Sequence, residues 1–259
     1  MTKRMFAVFI PLLLSARSWS ADKNGNKVVM ADVTERGRAL YEYDEAAWHA
    51  TDAVQASKPS EESVGRYIGR KTDTGWEVVF GHLNATGDRF LVAYKASQGA
   101  KPQDFSVKKL DPPGEETTFY LAAAKAVDTA LQDFRGEKRP YNVAVLPAPS
   151  NQLYVYVMPA QVKDGVYPLG GDVRYTIASD GSAIAIKRQL HKTILETDPV
   201  PKGTEQVAGY HTHVLSEVPE DTDVFHVLTQ KPPRPEYVAT MKKKLYIINT
   251  DGTILEGKL

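Results

Sequence analysis

Cysteine is absent from the 259-residue chain. No disulfide can staple the fold, and no thiolate can serve as nucleophile, zinc ligand or redox centre. Stability must come from an apolar core. The length allows one large domain or two small ones. Net charge is also lacking: 32 Lys plus Arg stand against 32 Asp plus Glu. A balanced surface has no general attraction for nucleic acid or anionic membrane, so neither is expected as a partner. The run Met241-Lys242-Lys243-Lys244 is short and reads as a solvated strand entry. Long hydrophobic runs are the third absence. No segment after the N-terminus approaches the roughly eighteen apolar residues of a membrane helix, so no span is expected. "MFAVFIPLLL", residues 5 to 14, is too short for one. Preceded by Thr2-Lys3-Arg4 and followed by the small residues of "SARSWS", it reads as residues 1–20 of a secretory signal cut after Ser20. The expected location is periplasmic or secreted.

The pattern that remains is mixed. Residues 21–36 are polar and read as loose. Leu40, Tyr43, Ala47, Ala50 and Val54 recur at three- and four-residue steps, which predicts an amphipathic helix over 37–57. "GWEVVFG" (75–81) and "RFLVAYKA" (89–96) flank turn residues and predict a hairpin. Phe119, Ala123, Ala126, Val127, Ala130, Leu131 and Phe134 form the stripe of a second helix. Thr117 or Thr118 would cap it, Glu115 and Glu116 would sit at its positive end, and Gly136 would stop it. "QLYVYVMP" (152–159) reads as a central strand. Asp180-Gly181 and Asp251-Gly252 supply the φ > 0 turns of two further hairpins. Gly170-Gly171-Asp172 reads as a turn into a strand, and His191-Lys192 as the surface end of one.

The expected fold is α/β in the α+β sense, with mixed, largely antiparallel sheets and packed helices. Residues 21–140 form an N-terminal region and 141–259 a C-terminal one.

The chemistry is concentrated in "GYHTHVLSEVPEDTDVF", residues 209–225. "QVAGYHTH" reads as a strand with Val207, Gly209, His211 and His213 on one face. Residues two apart on a strand are about 6.5–7 Å apart, so two imidazoles can converge on one ion. Pro219, Glu220, Asp221 and Asp223 read as the start of a helix, with Pro219 in its first turn. Asp223 could then fold back as a third ligand. Two His and one carboxylate bind Zn²⁺ with one position left for water, whose pKa the metal lowers toward 7. Four of the six histidines (191, 211, 213, 226) fall within 36 residues. His226, at Asp-x-x-His spacing from Asp223, could instead complete and close the sphere.

"GYHTHVLSEVPEDTDVFHVL…EYVAT…KLYIINTDGTI" resembles the JAB/MPN (JAMM) metalloprotease family over about 50 residues, 207 to 256. The resemblance implies an α/β sandwich around zinc, with His211, His213 and Asp223 as ligands and Pro219 as the motif proline. It also implies attack of a zinc-bound water on a peptide or isopeptide carbonyl. The motif serine falls on Glu220, and the family's upstream general-base Glu has no counterpart: residues 138–195 contain no Glu. Asp172, Glu196 and Glu220 are the catalytic candidates on offer, with Glu205 a further substitute for the base. A zinc peptidase or amidase, a degenerate relative of one, and a non-catalytic envelope protein binding a peptide or protein partner through the same face all stay open at this point.

Overall fold

The computed structural model describes residues 18–60, 64–196 and 203–257. The apolar run of the expected signal lies outside the described residues. Helix α1 (Ser18–Ala56) is followed by β1 (Arg66–Thr72), β2 (Gly75–Leu83), β3 (Phe90–Gln98) and β4 (Phe105–Glu116). These four strands form an antiparallel sheet in the order β1-β2-β3-β4. Helix α2 (Phe119–Asp133) precedes β5 (Tyr141–Ala148), β6 (Gln152–Pro159), β7 (Leu169–Gly170), β8 (Val173–Ile177), β9 (Ile184–Gln189) and β10 (Ile194–Leu195). A second antiparallel sheet has the order β5-β6-β8-β9, while β7 pairs only with β10. The last sheet comprises β11 (Gly209–His213), β12 (Glu236–Thr240), β13 (Leu245–Ile248) and β14 (Ile254–Gly257) in sequence order. Helix α3 (Asp221–Thr229) crosses between β11 and β12, which are therefore parallel. No helix among the described residues is long and apolar enough to cross a membrane.

The mixed, largely antiparallel α+β architecture is as the periodicity predicts, but α1 is longer. Residues 21–36, read as loose, are helical. The physical reason is tertiary. Met30 and Val33 pack with Val224, Val227, Tyr246 and Ile248. Arg36 pairs with Asp221 at 2.9 Å. Gly37 lets α1 and α3 approach, because a Cβ there would lie 2.4 Å from Val224 Cβ. Leu40, Tyr43, Ala47, Ala50 and Val54 are all buried.

Two other details differ from expectation. Helix α2 ends at Asp133 rather than running to Gly136. Phe134 turns extended and sets its ring edge-on to Tyr141, 4.8 Å between centroids. Glu115 and Glu116 belong to β4, and Glu115 pairs with Arg89 at 3.6 Å. Apolar clusters take residues from both sides of residue 140. One joins α1, β2 and β3 to Ala144, Leu146, Tyr156 and Leu190. Another sets α2 between Phe90 or Val92 and Val155 or Tyr175.

Candidate metal centre

Strand β11 alternates as the two-residue period requires: Tyr210 and Thr212 face out, His211 and His213 face in and are buried. Val207 lies before the strand and is 75 % exposed, so it does not share the inner face. Helix α3 starts at Asp221, two residues after Pro219. Glu220 is its N-cap, Asp223 closes a capping box on the Glu220 amide at 2.7 Å, and Pro219 stands outside the helix. The cap presents Asp223 to β11 from a fully buried position.

Asp221 holds that helix in place. It is fully buried and accepts a hydrogen bond from Tyr156 Oη at 2.8 Å. It also pairs with Arg36 of α1 and with Arg174 of β8. One carboxylate thus ties α3 to the long helix and to the second sheet.

Four ligand atoms converge: the imidazole nitrogens of His191, His211 and His213 and the carboxylate of Asp223, all within 4.8 Å of one another. Nε2 of His213 lies 3.0 Å from Nε2 of His191 and 3.1 Å from Nε2 of His211. Asp223 Oδ1 is 2.9 Å from His191 Nε2 and 3.1 Å from His211 Nε2, and Oδ2 is 3.0 Å from His213 Nε2. Four ligands at tetrahedral corners around zinc would be about 3.3 Å apart for bonds of 2.0–2.1 Å. The separations near 3 Å approach that edge, while the set as a whole spans up to 4.8 Å.

The other ring nitrogens show which way each imidazole is polarised. Nδ1 of His191 faces Asp172 Oδ1 at 2.8 Å, and Nδ1 of His211 faces Glu236 Oε1 at 2.8 Å. Nδ1 of His213 faces the Val218 carbonyl at 3.0 Å, with Ser216 Oγ at 2.8 Å. Carboxylates and carbonyls only accept, so each Nδ1 carries the proton and each neutral ring aims its Nε2 lone pair at the centre. Three lone pairs and a carboxylate facing one another repel unless a cation lies between them. Asp223 Oδ1 is buried and faces only the Nε2 atoms of His191 and His211 among the described residues.

Protons are the substitute when no ion is bound. Burial pushes His191 and His211 toward the neutral form. Asp172 and Asp223 outweigh it for His191, which is raised well above its ordinary value. Hydrogen bonds to Asp223 and Glu236 raise His211 to about 9. Burial would raise Asp223, but His191 and His213 hold it well below the carboxylate range. A divalent cation replaces those protons.

His191 is the functional residue that the sequence reading assigns to the surface. It is 9 % exposed and sits in the site. His226, the alternative closing ligand, is buried outside the cluster, and burial lowers it to about 4. Three of the base candidates also have other tasks. Asp172 orients His191. Glu220 caps α3 and pairs with Arg188 at 2.6 Å, and burial raises its carboxyl to about 7. Glu196 pairs with Arg139 at 2.7 Å at the surface, outside the cluster. Glu236 gave no sign in the sequence; it depends on a neighbour without a side chain, because a Cβ at Gly209 would lie 1.7 Å from Glu236 Oε2.

Compared with known proteins, the chain matches no family model, no curated protein and no solved structure at a significant level.

Proposed function

We propose that this chain is a zinc protein whose ion is structural, a non-hydrolysing relative of JAMM-type peptidases that acts outside the cytoplasm through binding. The reading is carried by one observation: Nε2 of His191 stands 3.0 Å from His213 Nε2 and 2.9 Å from Asp223 Oδ1. A hydrolytic zinc site keeps one coordination position for water, whereas structural sites carry four protein ligands. His191 takes that position. The lack of a general base supports the same reading, since Asp172 and Glu220 are engaged by His191 and Arg188. The imidazole-rich donor set suits zinc, and the Nδ1 acceptors are those of an orienting outer shell. The apolar run 5–14 supports export.

Metal analysis and activity test this together. The purified chain is expected to hold about one zinc, to lose it in His211→Ala, and to cleave neither peptide nor isopeptide model substrates. Zinc-dependent cleavage by the unaltered chain would overturn the structural assignment. Absence of any divalent metal at neutral pH would overturn the site itself.

A further inference from the structure

Three open sheet edges meet at one cleft whose lining includes none of the metal ligands. The strand orders leave β1, β5 and β14 each at the edge of its own sheet. A cleft of about 2170 Å³ is walled by residues 69–71 of β1, 145–148 of β5 and 254–257 of β14, with one face of α1 beside them. None of the four metal ligands lines it. An edge strand presents backbone N–H and C=O groups with no strand partner on its outer side. At one end β1 and β5 are joined through a hydroxyl: Tyr43 Oη accepts from the Gly69 amide at 3.1 Å and bonds the backbone at Val145. Beyond it the two strands do not pair. Pro147 of β5 is tolerated because it lies on an edge. On β14, Leu255 is 55 % exposed.

Charge selects the occupant. Arg70 and Lys71 of β1 and Glu35 and Glu256 of α1 and β14 are exposed around the same cleft. A polyphosphate chain would gain at the first pair and lose at the second. A polypeptide, which carries both signs and a full set of backbone donors and acceptors, matches both walls. The geometry points to a binding cleft for an extended polypeptide segment of another protein, added as a strand to β14 and facing the gap between β1 and β5. This does not depend on the metal reading and uses a different face from the His-x-His strand.

The test uses the full chain with fluorescein-labelled unfolded β-casein as probe, followed by anisotropy and by hydrogen exchange. Saturable binding is expected, with slowed exchange over 254–257 and 69–71. Glu256→Pro, which removes an outward-facing donor from β14, and Arg70→Glu, on the opposite wall, should each weaken binding about tenfold. Arg70→Glu changes an exposed side chain, so it remains informative if the proline variant does not fold. Several outcomes would overturn the proposal: no saturable binding, binding insensitive to both variants, or protection confined to β11. Single-stranded DNA competing for the same site would reassign the cleft to another polymer. Binding seen only when residues 1–20 are removed would mean that the chain's own N-terminal segment is the occupant.

Discussion

Replacing Asp172 tests whether the site is built for a cation. Asp172 is 2 % exposed and accepts from both the backbone amide and Nδ1 of His191, at 3.1 and 2.8 Å. Asp172→Asn keeps an acceptor oxygen but removes the charge that makes Nε2 more basic. Asp172→Leu removes both. Outer-shell partners of metal-bound histidines are worth about 10- to 100-fold in affinity. The Asn variant is expected near the lower end, about 1.4 kcal/mol, and the Leu variant near the upper, about 2.7 kcal/mol. The Leu variant also leaves two buried N–H groups of His191 without this acceptor, each costing the metal-free fold about 1–3 kcal/mol. The assay is competition with a chromophoric zinc chelator at neutral pH, with urea unfolding of the chelated protein alongside. The order unaltered, Asn, Leu in affinity supports the argument. If all three bind zinc equally, Asp172 does not orient a ligand, and His191 is a packed histidine rather than the fourth corner.

Three further outcomes follow from the same geometry. Zinc binding to the metal-free chain at neutral pH should release about two protons, since the carboxylates around His191 and His211 favour the protonated form of both rings without the ion; calorimetry in two buffers of different ionisation enthalpy counts them. The pH dependence should invert with loading. Without metal, the raised His211 stabilises the fold below its unfolded value of about 6.5 and loses that contribution as pH rises through about 9, so the melting temperature of chelated protein should fall over that alkaline range; with zinc the ligands must be deprotonated, so the ion is lost on acidification instead, and unchanged melting of the chelated chain across the alkaline range would refute the first half. Gly209→Ala would drive a Cβ to 1.7 Å from Glu236 Oε2, displacing the acceptor of His211; zinc affinity should fall about 10- to 100-fold, and equal affinity would show that Glu236 has room to move.

Much of the fold is readable because its signals are local. Helix α1 shows its stripe from Leu40 to Val54, and both Asp-Gly pairs make their turns, with Gly181 at φ 78 and Gly252 at φ 82. Residues 21–36 lack such a stripe. Their helix depends on Met30, Val33 and Arg36 meeting α3, whose residues lie about two hundred positions later in the chain. The site divides in the same way. His211 and His213 declare themselves by spacing, and Asp223 by the start of a helix. His191 does not, because its role is set by pairing at a distance. The hairpin around Asp180-Gly181 pairs Val173 with Gln189 and brings Asp172 and His191 to the same end of two neighbouring strands. That hairpin is legible. That its open end lies against β11 is not, since no periodicity encodes the docking of one sheet on another.

This docking defines what the ion does. His191 follows the last long strand of the second sheet, whereas His211, His213 and Asp223 belong to β11 and α3. The third sheet meets the second through Asp221, which reaches Tyr156 and Arg174 of that sheet and Arg36 of α1, and on the proposed reading a cation would add a second link. A chain without cysteine has no covalent means of fixing two such layers. Four ligands contributed by separate segments would do the same work non-covalently once an ion is bound. Because the metal-free site has no formed counterpart in the unfolded chain, binding free energy becomes folding free energy. A hydrolytic site needs a free corner and a base; a staple needs every corner filled and every imidazole oriented. The residues around this cluster meet the second requirement.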